Sequence, residues 1–256
     1  MKCVLITGAS SGIGYEFSKI YASHGYHLII VARSEGKLYK LKKELEEKYS
    51  INVYVYAKDL SEENAAYEIF DYTLENNLEV EVLINNAGFG DYGPFIEYDT
   101  HKLHQLLTVN ITALTELTRY FMPLMCKRHK GYIINMSSVA SFCAGPDMSL
   151  YYASKAFVRS FSEAISEEVK GDHVHVLALC PGPTSTHFKQ SANMKDSKMF
   201  TFFKPKTAKE VAEAGYKASL KGKTLKYYGL SVKIMNLASR ILPRALTRKF
   251  AYLING

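Results

Sequence analysis

Apolar residues in this chain occur in short continuous runs, separated by stretches in which they recur at helical spacing. The first runs lie at 4–6, 27–32 and 53–57, and each is followed by a stretch with helical periodicity. Because these runs are continuous in Val, Ile and Leu, we expect strands that are covered on both faces. Strands that alternate with helices in this way predict a parallel, doubly wound sheet.

The second half of the chain continues the alternation. Further strands are predicted at 80–84, 132–136, 174–179 and, as a short final strand, 225–228. Helices are predicted at 13–24, around 38–45, and at 64–76, 99–128 and 151–170. Pro123 is expected to bend the long helix, because proline cannot donate the backbone hydrogen bond there.

This pattern predicts a three-layer α/β Rossmann fold in a single domain with a C-terminal helical extension. The chain has 256 residues, of which 47% are hydrophobic, and this suffices for one large core. We expect a cofactor-binding and catalytic body at 1–186, a substrate lid region at 187–222 and a basic C-terminal segment at 223–256. No repeat or linker interrupts the sequence.

The ends of the chain and its cysteines exclude several classes of protein. The apolar run after Met1 is too short for a secretory signal, and no stretch approaches the ~20 apolar residues that span a bilayer. We therefore expect a cytoplasmic protein. The four cysteines have no metal-ligand spacing, so no metal site is predicted. Of these, Cys3 and Cys180 lie in apolar runs and are expected to be buried.

The net charge of +7 is concentrated at the C-terminal end. Glu213 is the last acidic residue and nine lysines and arginines follow it, so the rest of the chain has two more acids than bases. Between Leu230 and Ile254 these cations interleave with apolar residues. A basic amphipathic helix of this kind can lie on an anionic membrane, or it can pack on the body or on a second subunit. Nucleic-acid binding is not expected, because no reading motif accompanies the charge.

A glycine-rich loop separates the first strand from the first helix. Gly8, Gly12 and Gly14 allow a tight turn, and Ser10 and Ser11 can orient it. The following helix presents free N–H groups and a positive dipole end, which suit a pyrophosphate. A purely structural turn is the alternative, but the position between strand and helix favours a dinucleotide.

The end of the second strand bears on the choice of cofactor. An acidic residue there binds the ribose 2′-hydroxyl of NAD, whereas this chain has Arg33, whose guanidinium suits the 2′-phosphate of NADP. Arg33 would otherwise lie at a strand end in solvent. Asp59 ends the third strand, where it can cap the next helix and can also accept from the adenine amino group.

Tyr151 and Lys155 are four residues apart in a predicted helix and so share a face. A nearby ammonium and a positive nicotinamide are expected to lower the pKa of the Tyr151 phenol, which would donate a proton to a carbonyl oxygen. The same spacing also occurs on solvated helix faces. Ser138 follows the fifth strand and can hold the substrate oxygen, and Asn110 is a polar residue in the long helix that suggests a kink or a bound water.

Together these motifs resemble the short-chain dehydrogenase/reductase superfamily in its compact branch, over about residues 2–188. The resemblance implies a cofactor loop at 7–14 (TGASSGIG), a sheet-supporting element at 85–88 (NNAG) and a nicotinamide-contacting stretch at 181–186. It implies a catalytic tetrad of Asn110, Ser138, Tyr151 and Lys155. The predicted cofactor contacts are Gly8, Ser10, Ser11, Gly12, Ile13, Gly14, Arg33, Asp59, Leu60, Asn86, Ala87, Gly88, Tyr151, Lys155, Pro181, Gly182, Thr184 and Thr186.

Within the superfamily, the stretch 180–184 (CPGPT) and the basic tail resemble the DltE-like group and the related 17β-hydroxysteroid and 3-ketoacyl reductases. The resemblance implies an NADP(H)-dependent oxidoreductase that reduces a ketone or aldehyde to an alcohol, and relatives that form dimers or tetramers imply a homo-oligomer. The phenylalanines and methionines of 187–203 suit an apolar substrate, or else ordinary core packing. The alternative functions are an NADP-binding redox sensor or scaffold and a sugar-nucleotide epimerase or dehydratase.

Overall fold

The computed structural model describes residues 2–185 and 205–255. Its strands are β1 (Lys2–Thr7), β2 (His27–Ala32), β3 (Val53–Ala57), β4 (Glu79–Asn85), β5 (Gly131–Met136), β6 (Val174–Pro181), β7 (Thr184–Ser185), β8 (Lys206–Thr207) and β9 (Leu225–Tyr228). Its α-helices are α1 (Gly12–Ser23), α2 (Glu35–Lys48), α3 (Ala65–Glu75), α4 (Thr100–Leu107), α5 (Ala113–Lys127), α6 (Ser149–Glu168), α7 (Ala208–Ser219), α8 (Leu230–Ile241) and α9 (Arg244–Asn255).

Among the described residues, seven strands form one parallel sheet in the order β3-β2-β1-β4-β5-β6-β9. The chain builds outward from β1 to β3 and then crosses back to place β4 on the other side of β1. The strand order therefore reverses between β1 and β4, and the carboxyl ends of these two strands flank a crevice where ligands bind in such sheets. The predicted α/β Rossmann fold is confirmed.

Helices cover both faces of this sheet. Alternate residues of β1 point to opposite sides: Val4 and Ile6 join a core with Phe17 of α1, whereas Leu5 joins a core with Phe121 of α5. Both faces of the central strands are thus buried, as the continuous apolar runs predicted. Cys3 and Cys180 are also buried, as predicted.

Two predicted helices are divided in the structure. The long helix predicted at 99–128 is interrupted by a π-helical turn at Thr108–Thr112, while Pro123 lies inside α5. The C-terminal segment forms two helices in place of one. Leu242 has an extended conformation because it precedes Pro243, whose ring disfavours helical backbone in the preceding residue, and α8 ends there.

No helix among the described residues is both long and apolar enough to cross a bilayer. The segment 187–203, predicted as a lid, lies outside the described residues. Its flanks are tied together, because β7 pairs with β8 and Lys206 donates a backbone hydrogen bond to Pro183. The division into body, lid region and C-terminal segment stays a prediction.

Candidate active site

The loop after β1 is held in a conformation that requires glycine. Gly8 and Gly12 have φ of +66° and +57°, in the left-handed region. Gly14 packs against the start of the loop: a Cβ atom placed on it would lie 2.3 Å from the carbonyl oxygen of Gly8. The turn therefore brings the N-terminus of α1 directly under the crevice.

The end of β4 fixes this loop from the other side. The Asn86 side-chain amide donates to the carbonyl oxygens of Thr7 and Gly8 at 2.9 and 3.2 Å. In return the Thr7 hydroxyl accepts from the backbone N–H groups of Asn86 and Ala87, each at 3.0 Å. These four bonds join the two strand ends that form the switch point.

A cleft of about 410 Å³ runs along the carboxyl ends of the central strands. Its volume is in the range typical of small-molecule sites. Most of the predicted site residues line it: Gly8, Ser10, Ser11, Gly12, Ile13, Arg33, Asp59, Leu60, Asn86, Ala87, Gly88, Ser138, Tyr151, Lys155, Pro181, Gly182 and Thr184. Gly14 and Asn110 are not among its lining residues, and Thr186 lies outside the described residues.

At one end of the cleft, Arg33 approaches the loop after β3. Its guanidinium is 3.7 Å from the Asp59 carboxylate, and 76% of its side chain is exposed. An ion pair this long and exposed contributes little stability, so the guanidinium can turn to another anion at small cost. Asp59 accepts hydrogen bonds from the backbone N–H and hydroxyl of Ser61 at 2.9 and 2.8 Å. The predicted helix-cap role of Asp59 is wrong, because α3 begins only at Ala65.

At the other end, Tyr151 and Lys155 project from the first turns of α6 into the cleft. The Lys155 ammonium is 5.8 Å from the centroid of the Tyr151 ring and donates to the Met136 carbonyl oxygen at 2.8 Å. Ser138, just beyond the end of β5, hydrogen-bonds to Tyr151 and accepts from the backbone N–H of Ala140 at 3.2 Å. Ser138 and Tyr151 thus present two hydroxyl groups to one position.

Burial controls the titration of both groups. Desolvation raises the pKa of Tyr151 to about 12, although its hydrogen bond with Ser138 opposes the change. Desolvation also lowers the pKa of Lys155 to about 8. Among the protein groups, burial dominates the pKa of Tyr151; the predicted lowering, which includes the positive charge of an oxidised nicotinamide, stays a prediction. Tyr151 is therefore fully protonated at neutral pH.

Asn110 occupies the π-helical turn and holds the segment that follows β4. Its side-chain amide donates to the Phe89 carbonyl oxygen at 2.9 Å and to the Ser154 hydroxyl at 3.1 Å, and its oxygen accepts from the Phe89 N–H at 3.0 Å. The π-helical turn confirms that the helix is distorted at Asn110, as the predicted kink implied. A Cβ on Gly88 would lie 3.0 Å from the Asn110 oxygen and 3.2 Å from the Lys155 nitrogen, so the three residues are closely packed.

The structure adds two supports of this site, to which the predicted sheet-supporting element at 85–88 contributes only Asn85. The Ser137 hydroxyl donates to the Lys155 carbonyl oxygen at 2.9 Å and joins β5 to α6. Asn85 and Asn135 face each other in register on β4 and β5, and a buried chain of hydrogen bonds runs from Asn85 through Asn135 to Ser162, each 2.9 Å long. An asparagine at or near the end of each of two apolar strands was the signal in the sequence.

Comparison with known proteins identifies the family. The sequence model of the short chain dehydrogenase family matches residues 2–197. The chain belongs to the short-chain dehydrogenases. The resemblance noted in the sequence is confirmed, and membership places the protein among the oxidoreductases.

Curated relatives of this short-chain dehydrogenase include very-long-chain 3-oxoacyl-CoA reductases. The protein of Laccaria bicolor is 33% identical over 178 residues, which cover 68% of this chain and 52% of that protein. That of Rattus norvegicus is 29% identical over 249 residues, covering 94% and 75%. The chain thus spans about half the length of the Laccaria protein.

Among solved structures, a short-chain dehydrogenase from Sphingobium yanoikuyae in complex with NADPH is similar over almost its whole length. The two chains are 28% identical with a TM-score of 0.84, and the match covers 94% of this chain and 93% of that one. This match covers a larger share of this short-chain dehydrogenase than the family model does.

Lys155 gives this short-chain dehydrogenase a pH-dependent stability. Its pKa is lowered from 10.5 to about 8 in the folded protein, so between these values the unfolded chain binds more protons than the folded one. The free energy of unfolding contributed by Lys155 therefore rises from about pH 8 towards 10.5, by roughly 3 kcal/mol in total, and below this window the cost of burying the charge is fully present. Urea unfolding of the wild type and of Lys155→Met at about pH 7 and pH 10 measures this. The free energy of unfolding of the wild type, relative to that of Lys155→Met, should be larger at the higher pH. An unchanged difference would contradict it.

Proposed function

We propose that the protein is an NADP(H)-dependent carbonyl reductase that converts a ketone or aldehyde to an alcohol. The observation that carries this proposal is the placement of Tyr151, Ser138 and Lys155 at one end of a cleft whose other end holds the glycine loop and Arg33. The cleft therefore joins a proton donor to a dinucleotide cradle.

The residues present fit a nicotinamide dinucleotide. The close approach at Gly14 and the positive φ of Gly8 leave the backbone of the loop open to a pyrophosphate at the N-terminus of α1. At the ribose end, Arg33 and Lys58 line the cleft, and the cation at 33 supports a 2′-phosphate, hence NADP. Lys155 and the stretch from Pro181 to Thr184 would hold the nicotinamide half.

The chemistry of the site follows from its protonation states. A nicotinamide coenzyme held by these residues would supply the hydride that reduces the carbonyl carbon. The hydroxyls of Ser138 and Tyr151 donate hydrogen bonds to the carbonyl oxygen, and Tyr151 transfers its proton as negative charge develops there. The alcohol leaves, the Lys155 ammonium stabilises the remaining phenolate, and Tyr151 takes a proton back from solvent. Because the pKa of Tyr151 is about 12, the resting enzyme is poised as a proton donor for reduction.

Consumption of NADPH with a panel of carbonyl compounds tests the proposal. The panel contains 3-oxoacyl thioesters, ketosteroids, aldehydes and small keto acids, and the curated reductases make the thioesters the first choice. Turnover with at least one class supports the proposal. Tight NADPH binding with no turnover on any class would instead favour a redox sensor.

Arg33→Ala should change the choice of cofactor. Loss of a charge-assisted hydrogen bond to the 2′-phosphate is expected to weaken NADPH binding by roughly 10- to 100-fold, with little change for NADH. Fluorescence titration with both cofactors measures this. Lys37→Ala is the matched control, since Lys37 is an exposed cation of α2 that does not line the cleft. Equal losses for NADPH and NADH in Arg33→Ala would remove the basis for assigning NADP.

A further inference from the structure

The last two helices expose an unusual concentration of large apolar side chains. Eight of the fifteen exposed large hydrophobic residues in the described parts of the chain lie between 234 and 253: Ile234, Leu237, Ile241, Leu242, Leu246, Phe250, Tyr252 and Leu253. Scattered exposed apolar residues are normal in soluble proteins, whereas a cluster of this kind marks an interaction surface.

These residues form stripes at helical spacing. Ile234, Leu237 and Ile241 are spaced i, i+3 and i+7 along α8, and Leu246, Phe250 and Leu253 are spaced i, i+4 and i+7 along α9. Different positions hold the helices to the body, because Val232, Ala251 and Ile254 are buried. Each helix therefore has an inner apolar face that packs and an outer apolar face that does not. We call the outer faces of α8 and α9 the C-terminal face.

The charges of the C-terminal face all have one sign. Lys233, Arg240, Arg244, Arg248 and Lys249 lie on these two helices, and the sequence has no acidic residue after Glu213. No ion pair within the described part of the chain involves any of the five cations. Long cationic side chains beside an apolar stripe can extend to an anionic headgroup layer while the stripe enters the acyl boundary.

We infer that the C-terminal face docks the protein on the surface of an anionic lipid bilayer. A second copy of the chain is the less favourable occupant, because a two-fold contact through this face would bring like charges together with no carboxylate on either helix. A nucleic acid would meet the cations but leave the apolar stripes exposed. An anionic bilayer complements both features at once.

The docking helices are tied to the substrate side of the candidate site. Asn255 at the end of α9 is fully buried, and its side chain accepts from the Tyr152 hydroxyl at 3.0 Å and donates to the Pro146 carbonyl oxygen at 2.8 Å. Tyr152 is the neighbour of Tyr151. Docking would therefore place the wall of the cleft next to Tyr151 close to the bilayer surface. The inference of a docking surface rests on exposure and charge, and it does not depend on the proposed reaction.

Vesicle cosedimentation of the full chain tests the inference. We expect binding to phosphatidylglycerol–phosphatidylcholine vesicles at low salt, weaker binding at high salt, and little binding to phosphatidylcholine alone. The triple variant Arg240→Ala, Arg244→Ala and Arg248→Ala should bind about a hundredfold more weakly, because each cation near the surface contributes about one kcal/mol. Removing the same charge from α2, with Lys37→Ala, Lys40→Ala and Lys43→Ala, is the matched control and should leave most binding intact.

A second pair of variants tests the apolar stripes. Leu237→Ser with Leu253→Ser should weaken vesicle binding, whereas Leu74→Ser with Leu220→Ser, which removes similarly exposed leucines elsewhere, should not. No binding to anionic vesicles, or equal losses in both triple variants, would overturn the inference. So would variants of the C-terminal face that dissociate a dimer in gel filtration and leave vesicle binding unchanged, since the occupant would then be a second copy.

Discussion

Replacing Tyr151 with phenylalanine is expected to lower kcat for carbonyl reduction by about 10²- to 10⁴-fold, the usual contribution of a general acid. Phenylalanine preserves the ring but removes the proton donor. NADPH binding should be close to unchanged, because the glycine loop and Arg33 lie at the other end of the cleft. Single-turnover kinetics at saturating NADPH, together with a binding titration, separates the two effects.

Tyr152→Phe is the matched control for this experiment. The two tyrosines are neighbours on α6, but the Tyr152 hydroxyl donates to Asn255 and has no part in the proposed proton transfer. Its loss should cost stability of about 1–3 kcal/mol, because the buried Asn255 oxygen loses its partner, while turnover is largely retained. If Tyr151→Phe kept most of its activity, or if Tyr152→Phe lost as much, the assignment of Tyr151 as the acid would be wrong.

Gly14→Ala is expected to disrupt the cofactor cradle and to lower the affinity for NADPH by at least about tenfold. The added Cβ would lie 2.3 Å from the Gly8 carbonyl oxygen and 2.6 Å from the Asn86 amide nitrogen, and the first of these is backbone that cannot move aside cheaply. Overpacking of this kind costs about 1–3 kcal/mol of stability and shifts the loop that would face the pyrophosphate. Urea unfolding and NADPH titration measure the two effects.

Gly36→Ala is the matched control, since Gly36 also lies in the first turn of a helix that follows a strand. A Cβ there meets no atom within 4 Å, and the residue has no left-handed backbone. Alanine should therefore leave NADPH binding unchanged and stabilise the protein slightly, by about 0.4–1 kcal/mol. Normal NADPH affinity in Gly14→Ala would show that the close packing of the loop is not needed for binding.

The order and kind of the central elements follow from local patterns. Continuous Val, Ile and Leu runs define the strands, and the structure places β4 at Glu79–Asn85 where the sequence predicts 80–84. Tyr151 and Lys155 share a helix face because four residues make about one helical turn. The glycine loop is equally local, since its role depends on a turn between neighbouring elements.

Sequence patterns are least informative where distant parts of the chain meet. The π-helical turn satisfies Asn110 through the backbone of Phe89, 21 residues away, and no periodicity along the helix contains that partner. The raised pKa of Tyr151 depends on burial, which the helix pattern does not quantify. The break between α8 and α9 has a local cause instead, because Pro243 disfavours helical backbone at Leu242.

By itself the sequence determined the alternation of strands and helices, the glycine turn, the tyrosine–lysine spacing and the basic, acid-free C-terminal end. These features depend on backbone sterics, side-chain periodicity and charge, which act between near neighbours. Only the tertiary structure decided which side of α8 and α9 is buried, and that Asn255 reaches Tyr152 across 103 residues of chain. Burial and hydrogen-bond partners of this kind exist only after the sheet and helices have packed, because packing sets both the distance between groups and their desolvation.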